Sequence, residues 1–125
     1  MLEIRVLGGL EARADGAPVE LPPSARVRAL LAWLAVHPGV HPRSALAGTL
    51  RPDALEESAR KSLRQAAWAL RGALGPGADA WLVSERERLG LSPDPSLVRV
   101  DLAEFRTLIG DGRLEEALAL ADGDL

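Results

Sequence analysis

Between residues 58 and 74 the chain reads Ser58-Ala59-Arg60-Lys61-Ser62-Leu63-Arg64-Gln65-Ala66-Ala67-Trp68-Ala69-Leu70-Arg71-Gly72-Ala73-Leu74. Leu63, Ala66, Ala67, Leu70 and Leu74 recur at three- and four-residue intervals, the spacing of one helical stripe. At about 100° per residue, Lys61, Gln65, Trp68 and Gly72 fall opposite that stripe, with Arg60, Arg64 and Arg71 along one flank. The chemistry open to such a face is nucleic-acid recognition. Arginine reads guanine, glutamine reads adenine, and any of the cations can sit on phosphate. Arg86 and Arg88, in the run Glu85-Arg86-Glu87-Arg88, add two cations downstream. The plain alternative is a solvated face on which Glu56 and Glu57 pair with Arg60, Lys61 or Arg64 one turn on. Trp68 has three roles open to it: touching a thymine methyl or a sugar, anchoring a protein contact, or partial burial against the N-terminal sheet or the tail helices.

Other chemistries find little support. The chain has no cysteine, which excludes disulfides, thiolate zinc sites and cysteine nucleophiles and points to a reducing compartment. His37 and His41 flank Pro38-Gly39 without further ligands at workable spacing, so helix-end and turn roles are expected and no metal. No serine has a histidine and a carboxylate in a triad context, and neither Gly8-Gly9 nor Gly75-Pro76-Gly77 forms a phosphate-cradling loop. The expectation is a non-enzyme without cofactors. No apolar run approaches the roughly 18 residues of a membrane span, and Ala29 to Val36 comes too late for a signal peptide. A cytoplasmic protein is expected.

The elements that must position the basic face follow from local signals. Residues 3–7, 10–14 and 18–21 read as three strands around the turn signal Asp15-Gly16, an antiparallel sheet with Ile4, Val6, Leu10, Ala12, Val19 and Leu21 inward. Ser24 caps a helix to about His37 with Val27, Leu30, Leu31, Leu34 and Ala35 apolar, and Trp33 and Trp81 are read as core. Pro42 suits the first turn of a second helix, Arg43 to Leu50, with Ala45, Leu46 and Leu50 inward. Asp53-x-x-Glu56 resembles a capping box opening the long third helix, which Gly75-Pro76-Gly77 ends. Residues 81–84 and 89–92 form a hairpin of two short strands. This order predicts an α+β winged helix-turn-helix with an N-terminal antiparallel sheet and a C-terminal wing hairpin, over residues 1–96.

After the linker signal Pro93-Asp94-Pro95, residues 97–125 read as a short extended piece, Val98-Arg99-Val100, leading into a partial all-α helical-repeat segment. Asp101-x-x-Glu104 is a second capping box, opening a helix with Leu102, Phe105, Leu108 and Ile109 apolar; Leu114, Ala117, Leu118 and Ala121 mark a last helix. These faces exceed what the pair can bury, so docking on the N-terminal sheet is expected, with a homodimer as the alternative. Charge divides at the same place. Residues 1–96 hold twelve Lys and Arg against eleven Asp and Glu, and residues 97–125 three against seven: +1 and −4, together the formal −3. The first part is neutral, so affinity for nucleic acid must come from local arrangement.

The ordered set Leu7-Gly8-Gly9-Leu10, Asp15-Gly16, Leu30-Leu31-Ala32-Trp33-Leu34-Ala35, His37-Pro38-Gly39, Arg51-Pro52-Asp53, Ala59-Arg60, Leu63-Arg64, Leu70-Arg71, Leu74, Val100-Asp101 and Phe105 resembles the Streptomyces antibiotic regulatory protein family. The resemblance implies a response-regulator-like winged helix followed by the first helical pair of a bacterial transcriptional activation domain. It implies double-stranded DNA as ligand. It also implies RNA polymerase as partner, met by the loop that holds Arg51, Asp53, Glu56 and Glu57. The chain departs from the family pattern at Arg51, where tryptophan is usual, at Trp68 and Gly72, and in the wing glutamates. The reading is a sequence-specific transcriptional activator. The alternatives are a winged-helix protein-interaction module and the N-terminal module of a larger signalling regulator.

Overall fold

Asp15 and Gly16 both adopt positive φ, 51° and 86°, the paired left-handed conformation that a tight two-residue hairpin needs. They join β2 (Glu11–Ala14) to β3 (Ala17–Pro18), and β2 lies antiparallel to β1 (Leu2–Arg5). The structure is a computed structural model that describes residues 1–113. The expected last helix, with Leu114, Ala117, Leu118 and Ala121, lies outside them, as do the side chains of Phe105, Leu108 and Ile109. The architecture is α+β. α1 (Ala25–Val36), β4 (Val40–Pro42), α2 (Arg43–Leu50) and α3 (Glu56–Leu74) follow β3. A single 3-10 turn (Gly75–Gly77), α4 (Ala78–Trp81), β5 (Leu82–Ser84), β6 (Arg88–Leu91), β7 (Val98–Val100) and α5 (Asp101–Gly110) complete the order.

One apolar core joins these layers. α1 is capped as its sequence predicts, Ser24 Oγ accepting from Val27 N, and it buries Val27, Leu30, Leu31, Leu34 and Ala35. α3 buries Ala59, Ser62, Leu63, Ala66, Ala67, Leu70 and Leu74, so the predicted stripe faces inward along its length. Leu30, Leu31, Leu34, Leu46, Leu70 and Leu89 have almost no exposed surface. Each such leucine contributes about 1.5–3 kcal/mol of burial.

Several local expectations are corrected. The N-terminal sheet is mixed, with order β3-β2-β1-β7, because β7 pairs in parallel with β1 (Leu2 opposite Val98, Ile4 opposite Val100). The sheet thus bridges the position between residues 96 and 97. Of its inward candidates, Ile4 and Ala12 are buried; Val6, Leu10, Val19 and Leu21 are half-buried at its margins. Leu46 and Ala47, not Ala45, face the core from α2. Pro42 is not in the first turn of α2. It ends β4, a strand absent from the sequence reading, which pairs with β6 (Val40 opposite Gly90, Pro42 opposite Arg88). An edge strand tolerates proline because its missing N–H need not join a ladder. Gly90 is required here: a Cβ would overlap the Gly39 carbonyl and Val40 Cα. Trp81 is buried as expected but closes α4 instead of opening a strand. Trp33 is only half-buried, its ring stacked on His37 at 4.0 Å and edge-on to His41 at 4.8 Å. Both imidazoles bond to carbonyls at the end of α1, Trp33 O and His37 O.

Neither expected capping box forms. Ala54 N donates to Arg51 O in a turn, which delays α3 until Glu56 and leaves Leu55 as an N-cap without a side-chain bond. Asp101 is drawn elsewhere: its two oxygens accept from Val6 N at 2.8 Å and Leu7 N at 3.0 Å. The residue is 9% exposed, and its carboxylate fastens the start of α5 to the chain leaving β1. Glu104 instead accepts from Arg99 Nε at 2.6 Å.

Candidate nucleic-acid interface

α3 turns Arg60, Lys61, Arg64, Gln65, Trp68 and Arg71 to solvent together, the consequence of a buried stripe that leaves the opposite side free. Their partners divide the face. Arg60 lies 3.7 Å from Glu56 one turn back. Arg71 is ion-paired with Asp79 of α4. The side chains of Lys61, Arg64 and Gln65 between them have no hydrogen bond or ion pair among the described residues. Trp68 is 79% exposed, so of the roles open to it partial burial against the sheet does not occur among the described residues. No side chain projects from Gly72, and the space where one would stand is open.

Beside the N-terminal half of this face stands the β5–β6 hairpin, part of a second sheet of order β4-β6-β5. Glu85 N donates to Arg88 O at 2.9 Å, so Arg86 and Glu87 form its tip. Arg88 folds back on Glu85 at 3.0 Å, while Arg86 carries no carboxylate partner among the described residues. α3 and the hairpin enclose a groove of about 390 Å3 lined by Arg43, Arg60, Arg64 and Arg86 with Glu85 and Glu87. Four cations against two carboxylates give the groove a positive balance that the whole chain lacks.

Arg43 was not legible as part of this arrangement, and it holds the hairpin in place. Its backbone N donates to Glu87 O at 2.8 Å, its Nε to Glu85 O at 2.7 Å and its Nη2 to Ser84 Oγ at 2.9 Å. Burial, and then the like charge of Arg64, hold its guanidinium below the usual arginine range; Glu87 pulls the other way. The only sequence signal was a cation at the first position of α2, and its target lies more than forty residues away.

The loop between α2 and α3 separates its candidates. Asp53, Glu56 and Glu57 are exposed around Leu55, itself 80% exposed. Arg51 turns away from them and donates to Ser62 Oγ at 2.7 Å. No group of three or more metal-ligating side chains and no helix long and apolar enough to cross a membrane occurs among the described residues. Comparison with known protein families, characterised proteins and solved structures found no match to the chain.

Proposed function

We propose that the chain is a sequence-specific DNA-binding transcriptional regulator of the winged helix-turn-helix type, acting as an activator. The observation that carries this reading is the placement of Arg64 and Arg86, cations without acidic partners among the described residues, around one groove, with Lys61, likewise without one, on the exposed face of the same helix. α3 is the recognition helix in this reading, α2 supports it, and the β5–β6 hairpin is the wing. Arg64 and Gln65 read base edges in the major groove while Lys61 and Arg86 seat on phosphates. The resemblance to the Streptomyces antibiotic regulatory protein family points the same way. It assigns the exposed acidic loop of Asp53, Glu56 and Glu57 to RNA polymerase.

A mobility shift with pooled random duplex at low and moderate salt tests the reading. Arg64→Ala costs about 1–3 kcal/mol on a selected sequence if Arg64 reads a base, whereas a phosphate contact alone weakens all sequences alike. Charge changes at Asp53, Glu56 and Glu57 lower transcription and leave DNA affinity intact. A second reading, a protein-interaction module, is favoured by one observation: the C-terminal half of the α3 face offers a fully displayed indole beside a neutralised Arg71. Absence of a shift with any duplex, in a folded protein, selects it.

A further inference from the structure

Arg26 on α1 and Arg51 just after α2 converge on one hydroxyl. Arg26 Nη1 donates to Ser62 Oγ at 3.2 Å and Arg51 Nη1 to the same atom at 2.7 Å. Neither guanidinium has a carboxylate within ion-pair distance among the described residues, whereas Arg60, Arg71, Arg88 and Arg99 each have one. Two like charges around a neutral oxygen repel, and each guanidinium has five N–H donors of which Ser62 takes one. Their natural complement is a carboxylate, whose two oxygens match the guanidinium fork.

Behind this pair lies a cavity of about 170 Å3, walled by Ala29 of α1, Ala47 and Leu50 of α2, and Ala59 and Ala66 of α3. Alanines from three helices meet where longer side chains would close the space. An apolar cavity of about 150 Å3 is large enough to take up benzene, so this one accepts a ring-sized group. We propose that the α1–α2–α3 junction binds a small carboxylate with an aromatic or branched apolar body. The carboxylate lies between Arg26 and Arg51, and the body lies among the alanines. Ser62, 7% exposed, is on the inner side of α3, so the site is separate from Lys61 and Gln65 and does not depend on the DNA reading.

Benzoate is the probe, with benzyl alcohol as the uncharged analogue and sulfate as the bare anion. Titrations of the full chain, followed by amide chemical shifts, are expected to show saturable benzoate shifts at Ala47, Ala59, Ser62 and Ala66. Both controls bind at least about tenfold more weakly, since each lacks one half of the recognition. Arg51→Met produces a similar loss, and Arg26→Met, at an exposed position that leaves the core untouched, repeats it if the first variant fails to fold. Sulfate or benzyl alcohol binding as tightly as benzoate overturns the proposal. So do shifts that do not saturate, shifts centred on Lys61 and Arg64, and full benzoate affinity in folded Arg26→Met.

Discussion

The outer face of the N-terminal sheet and the groove between α3 and the β5–β6 hairpin are built from the same residue types, arranged to opposite effect. On the sheet, register interleaves the signs without closing ion pairs: Glu3 lies opposite Arg13 and Arg99 on the neighbouring strands and Arg5 opposite Glu11, none of these within ion-pair distance. Arg99 is closed by Glu104. In the groove, Glu85 is taken by Arg88 from its own hairpin, and Arg64 and Arg86, like Lys61 on the exposed face of α3, have no carboxylate within ion-pair distance among the described residues. A surface that sets a carboxylate opposite each cation offers a phosphate a balanced field and gains little from meeting it. The groove, with four cations to two carboxylates, has an excess of positive charge to offer. Net charge, −3 for the chain, therefore says little about where an anionic partner binds; the pairing pattern says more.

The largest expected effect separates the two surfaces by stability. Asp101→Ala leaves the Val6 and Leu7 N–H groups without their acceptor and loosens β7 from β1. A loss of about 1–3 kcal/mol is expected in urea unfolding, with DNA affinity of the folded protein unchanged. Next comes Arg43→Ala, which removes the two side-chain bonds to Glu85 O and Ser84 Oγ and leaves the backbone bond to Glu87 O, at a cost of roughly 1 kcal/mol. This variant also lowers DNA affinity in a mobility shift, because Arg86 is no longer held beside Arg64. Retained affinity would detach the hairpin from the interface. Asp79→Ala sharpens the contrast in the other direction. It frees Arg71 and is expected to raise DNA affinity severalfold at low salt, while the exposed ion pair costs less than about 1 kcal/mol of stability. The smallest effect is expected from Arg5→Ala with Arg13→Ala: about 0.2–1 kcal/mol for each broken cross-strand pair, and no change in DNA binding.

Legibility followed the range of the forces involved. All five buried residues of α1, its Ser24 cap, the bounds of α2 and the inward stripe of α3 were readable, because each rests on spacing within a few turns. The exposed placement of Arg60, Lys61, Arg64, Gln65, Trp68 and Arg71 followed from the same periodicity. What escaped depends on distant partners. Residues 98–100 were readable as extended, but their parallel pairing with β1, more than ninety residues away, was not; β4 is three residues ending in proline, too short for any alternation to register. Asp101 and Asp53 both looked like caps, yet one is claimed by backbone N–H groups of residues 6 and 7 and the other is displaced by a turn. Arg51 looked like a surface charge and instead reaches Ser62, and Arg43 gave no sign of the hairpin it holds.

The central claim is that the unpaired cations of α3 meet DNA phosphates and bases. It is tested most directly by the salt dependence of binding to a labelled duplex, measured by fluorescence anisotropy for the parent chain, Lys61→Ala with Arg64→Ala, and Arg5→Ala with Arg13→Ala. The account predicts binding that weakens steeply with salt. The α3 double variant loses affinity, and its logarithmic slope becomes shallower by about 0.9 for each phosphate contact removed. The sheet variant follows the parent. A folded α3 double variant that binds with the parent's affinity and slope would contradict the account.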